Sequence, residues 1–405
     1  MSNNPVLELW EQELRHGHYR LRSPSSSQQE SGQGGKVVEV ESMLLGSRFS
    51  PIHSRAHDRP VGHRPRFVFL DTPWREDDAA GRAELTRRDH LGRAEVLAAG
   101  LHMTNYHATV AERGWLFLTV PPAVLGHSSL WPPLPQDLFS STLFAPKDIV
   151  LEVSVEGASI GQIEDFTRYH QALGFIVALT EFGRQHADLK AVWQVRPDLV
   201  SIPLRSLGDA VIVNEGRASS ALCRVLHESG AMVALTGIDN ANDLNQAMLT
   251  DTDLLEGEHA GRQPRAAGVR TTTTARLEPR ATLQASLDAI VDGGTFESAC
   301  ERLLNEEGVL RCYLLDGDGI QIADNLSPVG VRSDPRYWPL SNAIGASWSH
   351  REYFKSALAD PGQVMRTGPY FSLPDGRHCL TLSVAHHGQE QTLILCCDLA
   401  ESDSP

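Results

Sequence analysis

Residues 199–235 read LVSIPLRSLGDAVIVNEGRASSALCRVLHESGAMVAL, and the fold turns on them. Leu199-Val200-Ser201-Ile202 and Met232-Val233-Ala234-Leu235 are apolar runs of strand length. Between them Ala218, Leu222, Val225 and Leu226 share one helical face, and Gly230 ends the helix. Working back, Ile149-Val150-Leu151 and residues 175–179 read as two further buried strands. Strands alternating with helices predict a parallel α/β architecture, and the length from Lys36 to Pro264 suits a closed barrel of TIM type.

The rest of the chain frames that barrel. Its 405 residues suffice for two domains, and 41% hydrophobic with 21% charged residues is a globular balance. The net charge of −15 repels phosphate backbones, which argues against a nucleic-acid partner. No run approaches the roughly 18 to 20 apolar residues of a membrane span, and Met1 to Trp10 lacks a signal pattern. A cytoplasmic protein without membrane contact is expected. Cys223, Cys300, Cys312, Cys379, Cys396 and Cys397 show no paired spacing, so neither a zinc site nor a disulfide framework is expected. Residues 5–15 predict a helix, residues 23–35 a Ser, Gln and Gly linker, and residues 262–280 an interdomain linker. The expected division is 1–35 for helix and linker, 36–264 for the barrel, 265–280 for the second linker and 281–400 for a second domain.

In that second domain Leu283, Leu287, Ile290 and Val291 mark one helix. Phe296, Cys300, Leu303 and Leu304 mark another, with Gly293-Gly294 breaking between them and Thr295 as cap. Strands follow from Val309. Asp316-Gly317-Asp318-Gly319 reads as a tight turn; a calcium loop would need further oxygen ligands that are missing. His16/His18 and His386/His387 lack acidic or cysteine partners nearby and read as surface.

Six landmarks in order make residues 36–264 resemble the EAL phosphodiesterases. These are Phe49-Ser50-Pro51-Ile52 with Gly62; residues 116–120; Val150-Leu151-Glu152-Val153-Ser154; Val177 through Gly183; Pro197 through Pro203; and Leu235 through Asp239 with Glu256-Gly257 beyond. The resemblance implies a modified (β/α)8 barrel that hydrolyses cyclic di-GMP with two divalent metals. It also implies pairing of two copies through elements near the strand bearing Thr180-Glu181. The apolar stripe of residues 283–304, which needs cover, adds to the expectation of a homodimer.

The polar positions depart from that family. Arg64-Pro65-Arg66 stands where the family has Glu-Ala-Leu, so a metal-binding carboxylate becomes a guanidinium, and the phosphate-binding arginine becomes Val68. Thr119 replaces the ligating asparagine, while Thr180 and Glu181 replace the paired aspartates. Ser201 replaces the active-site lysine and Pro203 the aspartate after it; Val155 replaces a loop-organising glutamate. Thr236 replaces the general-base glutamate, Asp239 its companion, and Glu256 the substrate-side glutamine. Two-metal hydrolysis needs hard oxygen ligands holding two cations close together. Only Glu152, Glu181 and Asp239 remain, Asp239 is short by about 1.5 Å of reach, and Arg64 carries a fixed charge where a dication must sit. No catalytic residue, metal or cofactor is expected, and both the phosphate arginine and the metals that hold cyclic di-GMP are lost. Arg64 is expected to pair with Glu152, Glu181 or both; its alternative is solvent.

Residues 283–399 resemble Cache/PAS-like sensor domains, an α+β fold. The match lies in Tyr313 through Gly317, Ser349 through Phe354, Gly368 through Ser372, Leu380 through Ser383 and Leu393 through Leu399. By the resemblance Arg351 can hold a carboxylate, Tyr370 can hydrogen-bond a ligand and Asp398 can take a cationic group. The alternative is that Arg351 and Asp398 pair with each other over an aromatic core. The function expected is a catalytically inactive EAL-type regulator working through an unidentified protein partner and biased by a small ligand. The alternatives are a cyclic di-GMP receptor without hydrolysis and, further off, an active phosphodiesterase.

Overall fold

The computed structural model describes residues 35–40, 43–70, 78–87, 91–125, 144–156, 158–183, 189–207, 217–261, 279–372, 376–388 and 391–400. The helix expected at residues 5–15, the linker of 23–34, His16/His18 and residues 262–278 lie outside the described residues.

β1 (Val38–Val40) pairs antiparallel with β2 (Met43–Ser54), and β3 (Arg59–Leu70) follows β2. The sheet continues in chain order through β4 (Trp115–Thr119), β5 (Ile149–Ser154), β6 (Ile176–Thr180), β7 (Leu199–Pro203), β8 (Met232–Thr236) and β9 (Leu254–Glu256), and pairing of β2 with β9 closes it. Successive strands from β3 to β7 run parallel, as do β8 and β9. Eight strands, β2 to β9, thus close into a mixed barrel with helices, the expected architecture. The short central strands are buried along nearly their whole length, which explains their unbroken apolar sequence.

The chain divides into two compact units. One holds residues up to Ile52 together with Pro60–Pro203, and the other holds His53–Arg59 with residues from Leu204 on. In the first unit, α1 (Asp78–Arg87) and α2 (Leu91–Thr109) pack Leu85, Ala94, Leu97 and Leu101 against Leu45, Phe67 and Phe69. α3 (Ile160–Ala172) starts on a capping box, Ser159 with Gln162, and α4 (Leu189–Val195) lies beside it. Glu181, just past β6, has φ near +60°, a backbone region that L side chains seldom adopt.

The second unit carries α5 (Arg217–Glu228) and α6 (Ala241–Met248) beside β8 and β9. Its four-stranded antiparallel sheet runs in the order β10 (Val309–Asp316), β13 (Thr392–Ala400), β12 (Arg377–His387), β11 (Met365–Ser372). α7 (Arg280–Val291) and α8 (Phe296–Leu304) cover one face, and α9 (Glu352–Ala359) packs on β11 and β12. Thr295 caps α8 as expected, its side chain accepting from the Ser298 N–H. The 316–319 turn closes on Asp316, whose carboxylate accepts from the Asp318 and Ile320 amides while Gly319 supplies φ +79°.

One expectation is corrected here. The apolar stripe of residues 283–304 was to be covered by a second copy of the chain. Leu283, Leu287, Cys300 and Leu303 instead pack with Leu382, Val384, Leu395 and Cys397 of the same chain's sheet. Val291, which the sequence placed on that stripe, is instead exposed at the helix end. All six cysteines are free and buried. His387 shares a hydrogen bond with Thr392 on the surface.

Within the second unit the β2–β3 turn grips the C-terminal region. The Ala56 carbonyl accepts from the Ser347 amide at 2.6 Å, Arg59 donates to the Pro339 carbonyl at 2.7 Å, and His57 meets Trp348 edge to face. Arg55 reaches the Thr250 and Met248 carbonyls. Burial lowers Arg55 to about 10 and His57 to about 4, the latter with help from the Arg59 charge.

Candidate functional site

The strand ends in the first unit place one ion pair. Arg64, on β3, turns its guanidinium onto Glu152, on β5. Arg64 Nε lies 2.9 Å from Oε2 and 3.1 Å from Oε1, and Nη2 lies 2.5 Å from Oε1. Glu152 is 4% exposed and Arg64 21%. The guanidinium carbon also sits 5.9 Å from the Phe117 ring centre. The expected pairing of Arg64 with Glu152 is formed, and both carboxylate oxygens of Glu152 are engaged.

Around that pair, Thr119 ends β4 in register with Glu152, and Thr180 ends β6 in register with Ser154. Ser201 is buried in β7, while Val68 packs in an apolar cluster with Val37 and Leu70. In the second unit, Thr236 ends β8 in register with Glu256, which is 2% exposed. Asp239 is exposed on the loop after β8, its amide donating to Asp243 at 3.1 Å.

These donors do not fit a pair of divalent cations. A two-metal centre needs several unshared carboxylates at short distance. Here, in the first unit, Glu152 is engaged by a guanidinium, and Thr119 and Thr180 beside it offer neutral hydroxyls.

A second site lies in the C-terminal region, a small cavity of about 20 Å³ whose lining includes Arg311, Gln321, Trp348, Arg351, Tyr370 and Asp398. That volume holds about one water. Asp398 is fully buried and saturated. Arg311 Nε donates to it at 2.7 Å, Thr381 at 2.7 Å, Tyr370 at 3.0 Å and Tyr313 at 3.2 Å. Burial and the Asp398 charge push the Tyr313 and Tyr370 hydroxyls well above their ordinary range, so both stay protonated donors.

The expected alternative, an Arg351–Asp398 pair, is corrected. Arg311 takes Asp398, its partner across β10 and β13. Arg351 turns elsewhere: Nη2 donates to Asp253 at 2.6 Å and Nη1 lies 3.7 Å from Asp251. Asp253 precedes β9 and also accepts from the Val233 amide at 2.8 Å and pairs with His227 at 2.8 Å. Burial alone would raise the Asp253 carboxyl; the His227 and Arg351 charges override it and hold it at about 2. Arg311, His227 and Asp253 escaped the sequence reading. The available signal was a charge inside each of two apolar runs, Val309 to Leu315 and Thr252 to Leu255.

No curated protein matches the chain significantly. Among solved structures, the Bacillus subtilis YkuI protein, which has an EAL domain and is complexed with cyclic di-GMP and calcium, is similar at 15% identity. The match covers 88% of this chain and 96% of that one, with a TM-score of 0.41. The Xanthomonas citri FimX EAL domain, complexed with cyclic di-GMP, is 12% identical over 63% of this chain and 93% of that one, TM-score 0.45. Klebsiella pneumoniae BlrP1 is 13% identical over 63% and 66%, TM-score 0.46. The EAL domain family matches residues 90–263, from α2 past β9, so Arg64 and Val68 precede the matched segment. This chain carries an EAL domain over residues 90–263.

Proposed function

We propose that this chain is a regulator of the cyclic di-GMP signalling class whose barrel no longer hydrolyses the nucleotide. It acts through contacts with another protein, and a small ligand at its Cache/PAS-like C-terminal domain biases those contacts. One observation carries the reading: Arg64 holds both oxygens of Glu152, where hydrolysis calls for a metal-bound carboxylate. A guanidinium is never neutral at working pH, so a dication meets repulsion there. The residues at the other strand ends, Thr119, Thr180, Ser201 and Thr236, lack the charge to compensate. In the C-terminal domain Arg351 and Tyr370 are the candidate ligand contacts, with Asp398 fixing the Tyr370 hydroxyl.

Calorimetric titration with cyclic di-GMP, with and without magnesium, tests the reading. No heat of binding in either condition is expected. Saturable binding without hydrolysis would replace it with a receptor, and steady formation of the linear dinucleotide would replace it with an enzyme.

A further inference from the structure

One cleft of the second unit combines room for a small molecule with charge that nothing beside it neutralises. It opens between the loop ahead of the Pro335–Leu340 helix and the start of β12, and measures about 560 Å³. Its lining is Arg332, Ser333, Asp334, Pro335, Gly376 and Arg377, and it shares no residue with the cavity of about 20 Å³. Small-molecule sites span roughly 300 to 1,000 Å³.

The walls of this cleft are set by packing. Gly376, at φ +60°, lies so close to the Tyr337 ring that a Cβ there would stand 2.1 Å from it. Only glycine lets the start of β12 rest on that ring, and Tyr337 in turn meets Phe371 of β11 edge to face. Arg377, next in the chain, donates from Nη2 to the Arg332 carbonyl at 3.4 Å and so joins the two walls. Backbone packing, not an opposite charge, thus brings both arginines to one cleft.

The charges then decide what fits. Asp334 is the only carboxylate among the lining residues, and both of its oxygens are engaged. Oδ1 accepts from the Arg336 amide at 2.9 Å and Oδ2 from Arg336 Nη2 at 2.9 Å. Arg332 and Arg377 are exposed and form no ion pair among the described residues. A chain of net charge −15 therefore presents two uncompensated guanidinium groups to one cleft. Like charges lining one cleft repel, and an anion that meets both removes the repulsion. A guanidinium fork matches phosphate oxygens through paired hydrogen bonds. A phosphate monoester carries about −1.5 to −2 charges near neutrality and can answer two arginines, where a single carboxylate answers one.

We propose that this cleft binds a small molecule carrying a phosphate monoester. Arg332 and Arg377 grip the phosphate, and the organic body lies along Ser333, Pro335 and Gly376. The proposal depends neither on an inactive barrel nor on the cavity lined by Arg351.

Calorimetric titration of the full chain with sodium phosphate, with AMP and with adenosine tests it, sodium chloride at equal ionic strength serving as blank. Phosphate and AMP are expected to bind saturably, AMP at least as tightly, and adenosine to give no heat. Arg332→Gln and Arg377→Gln should each weaken AMP about ten-fold. Both side chains are exposed, so the melting temperature should stay unchanged. Asp334→Asn keeps a side-chain acceptor for the Arg336 amide and removes the one carboxylate, so it should tighten AMP about two-fold. The wild type gives a reading of its own: its affinity for AMP should fall as sodium chloride rises, because an exposed contact is screened. Binding that survives both arginine substitutions together lies elsewhere and would overturn the proposal. So would a lack of saturable binding at millimolar AMP and phosphate, AMP bound more weakly than phosphate, or adenosine bound as tightly as AMP.

Discussion

Arg311 on β10 and Asp398 on β13 stand directly across the strand pair, and Nε of the one donates to a carboxylate oxygen of the other at 2.7 Å. Both are almost wholly buried. Such a pair gives little net stability over an apolar pair of the same shape, but breaking it leaves a buried charge alone. Arg311→Met should therefore cost about 3 to 5 kcal/mol in urea unfolding. Arg311→Met with Asp398→Leu should recover much of that, and Tyr370→Phe, which removes one neutral donor, should cost about 1 kcal/mol. An Arg311→Met protein as stable as the wild type would contradict this account.

The Arg64–Glu152 pair yields a smaller effect by the same logic. Arg64 keeps 21% exposure, so water softens the penalty on the stranded carboxylate. Arg64→Ala should lower stability toward the bottom of about 3 to 5 kcal/mol. Adding Glu152→Gln should restore part of it. A melting temperature insensitive to Arg64→Ala would show that the pair carries no weight.

Turnover is expected to be absent. Incubation with cyclic di-GMP and magnesium or manganese should give no linear dinucleotide above a buffer blank. Product that disappears in Glu152→Ala would establish catalysis.

Buried histidines, His102 and His170 among them, set an acid response. Burial, with the Arg82 charge adding to it, holds His102 at about 3, and burial holds His170 at about 4, both below the ordinary 6.5. Each is neutral in the folded chain near neutrality, while the unfolded chain takes up its protons near 6.5. Their contribution is therefore complete above pH 6.5 and is lost progressively as pH falls toward the folded values. Melting temperature should drop from pH 6.5 to 4, less steeply in His102→Gln. A flat profile over that range would contradict the assignment.

Self-association is the remaining proposal, now resting on a different surface. Tyr169 and Leu173, in and after α3, and Trp193 on α4 leave large apolar groups about half exposed. Gln194 ties the two helices through Glu164 at 2.9 Å. A homodimer that covers them should scatter light at twice 44.4 kDa, and Trp193→Glu should return the monomer. A wild-type monomer at micromolar concentration would remove the proposal.

The sequence by itself determined the buried strands of a parallel α/β sheet. Runs such as Ile176 to Leu179 and Met232 to Leu235 are buried on both sides, and a strand of a parallel sheet covered on both faces needs that composition. It also determined the turn at Asp316 to Gly319 and the cap at Thr295, because those depend on atoms a few residues apart. Only the tertiary structure decided the partners of charges. Arg64 met Glu152, 88 residues on; Arg351 had Asp398 expected and took Asp253, 98 residues back, while Arg311 claimed Asp398. A long charged side chain is indifferent to sequence distance. Its partner is whichever buried opposite charge the folded backbone brings within about 3 Å, and no periodicity records that choice.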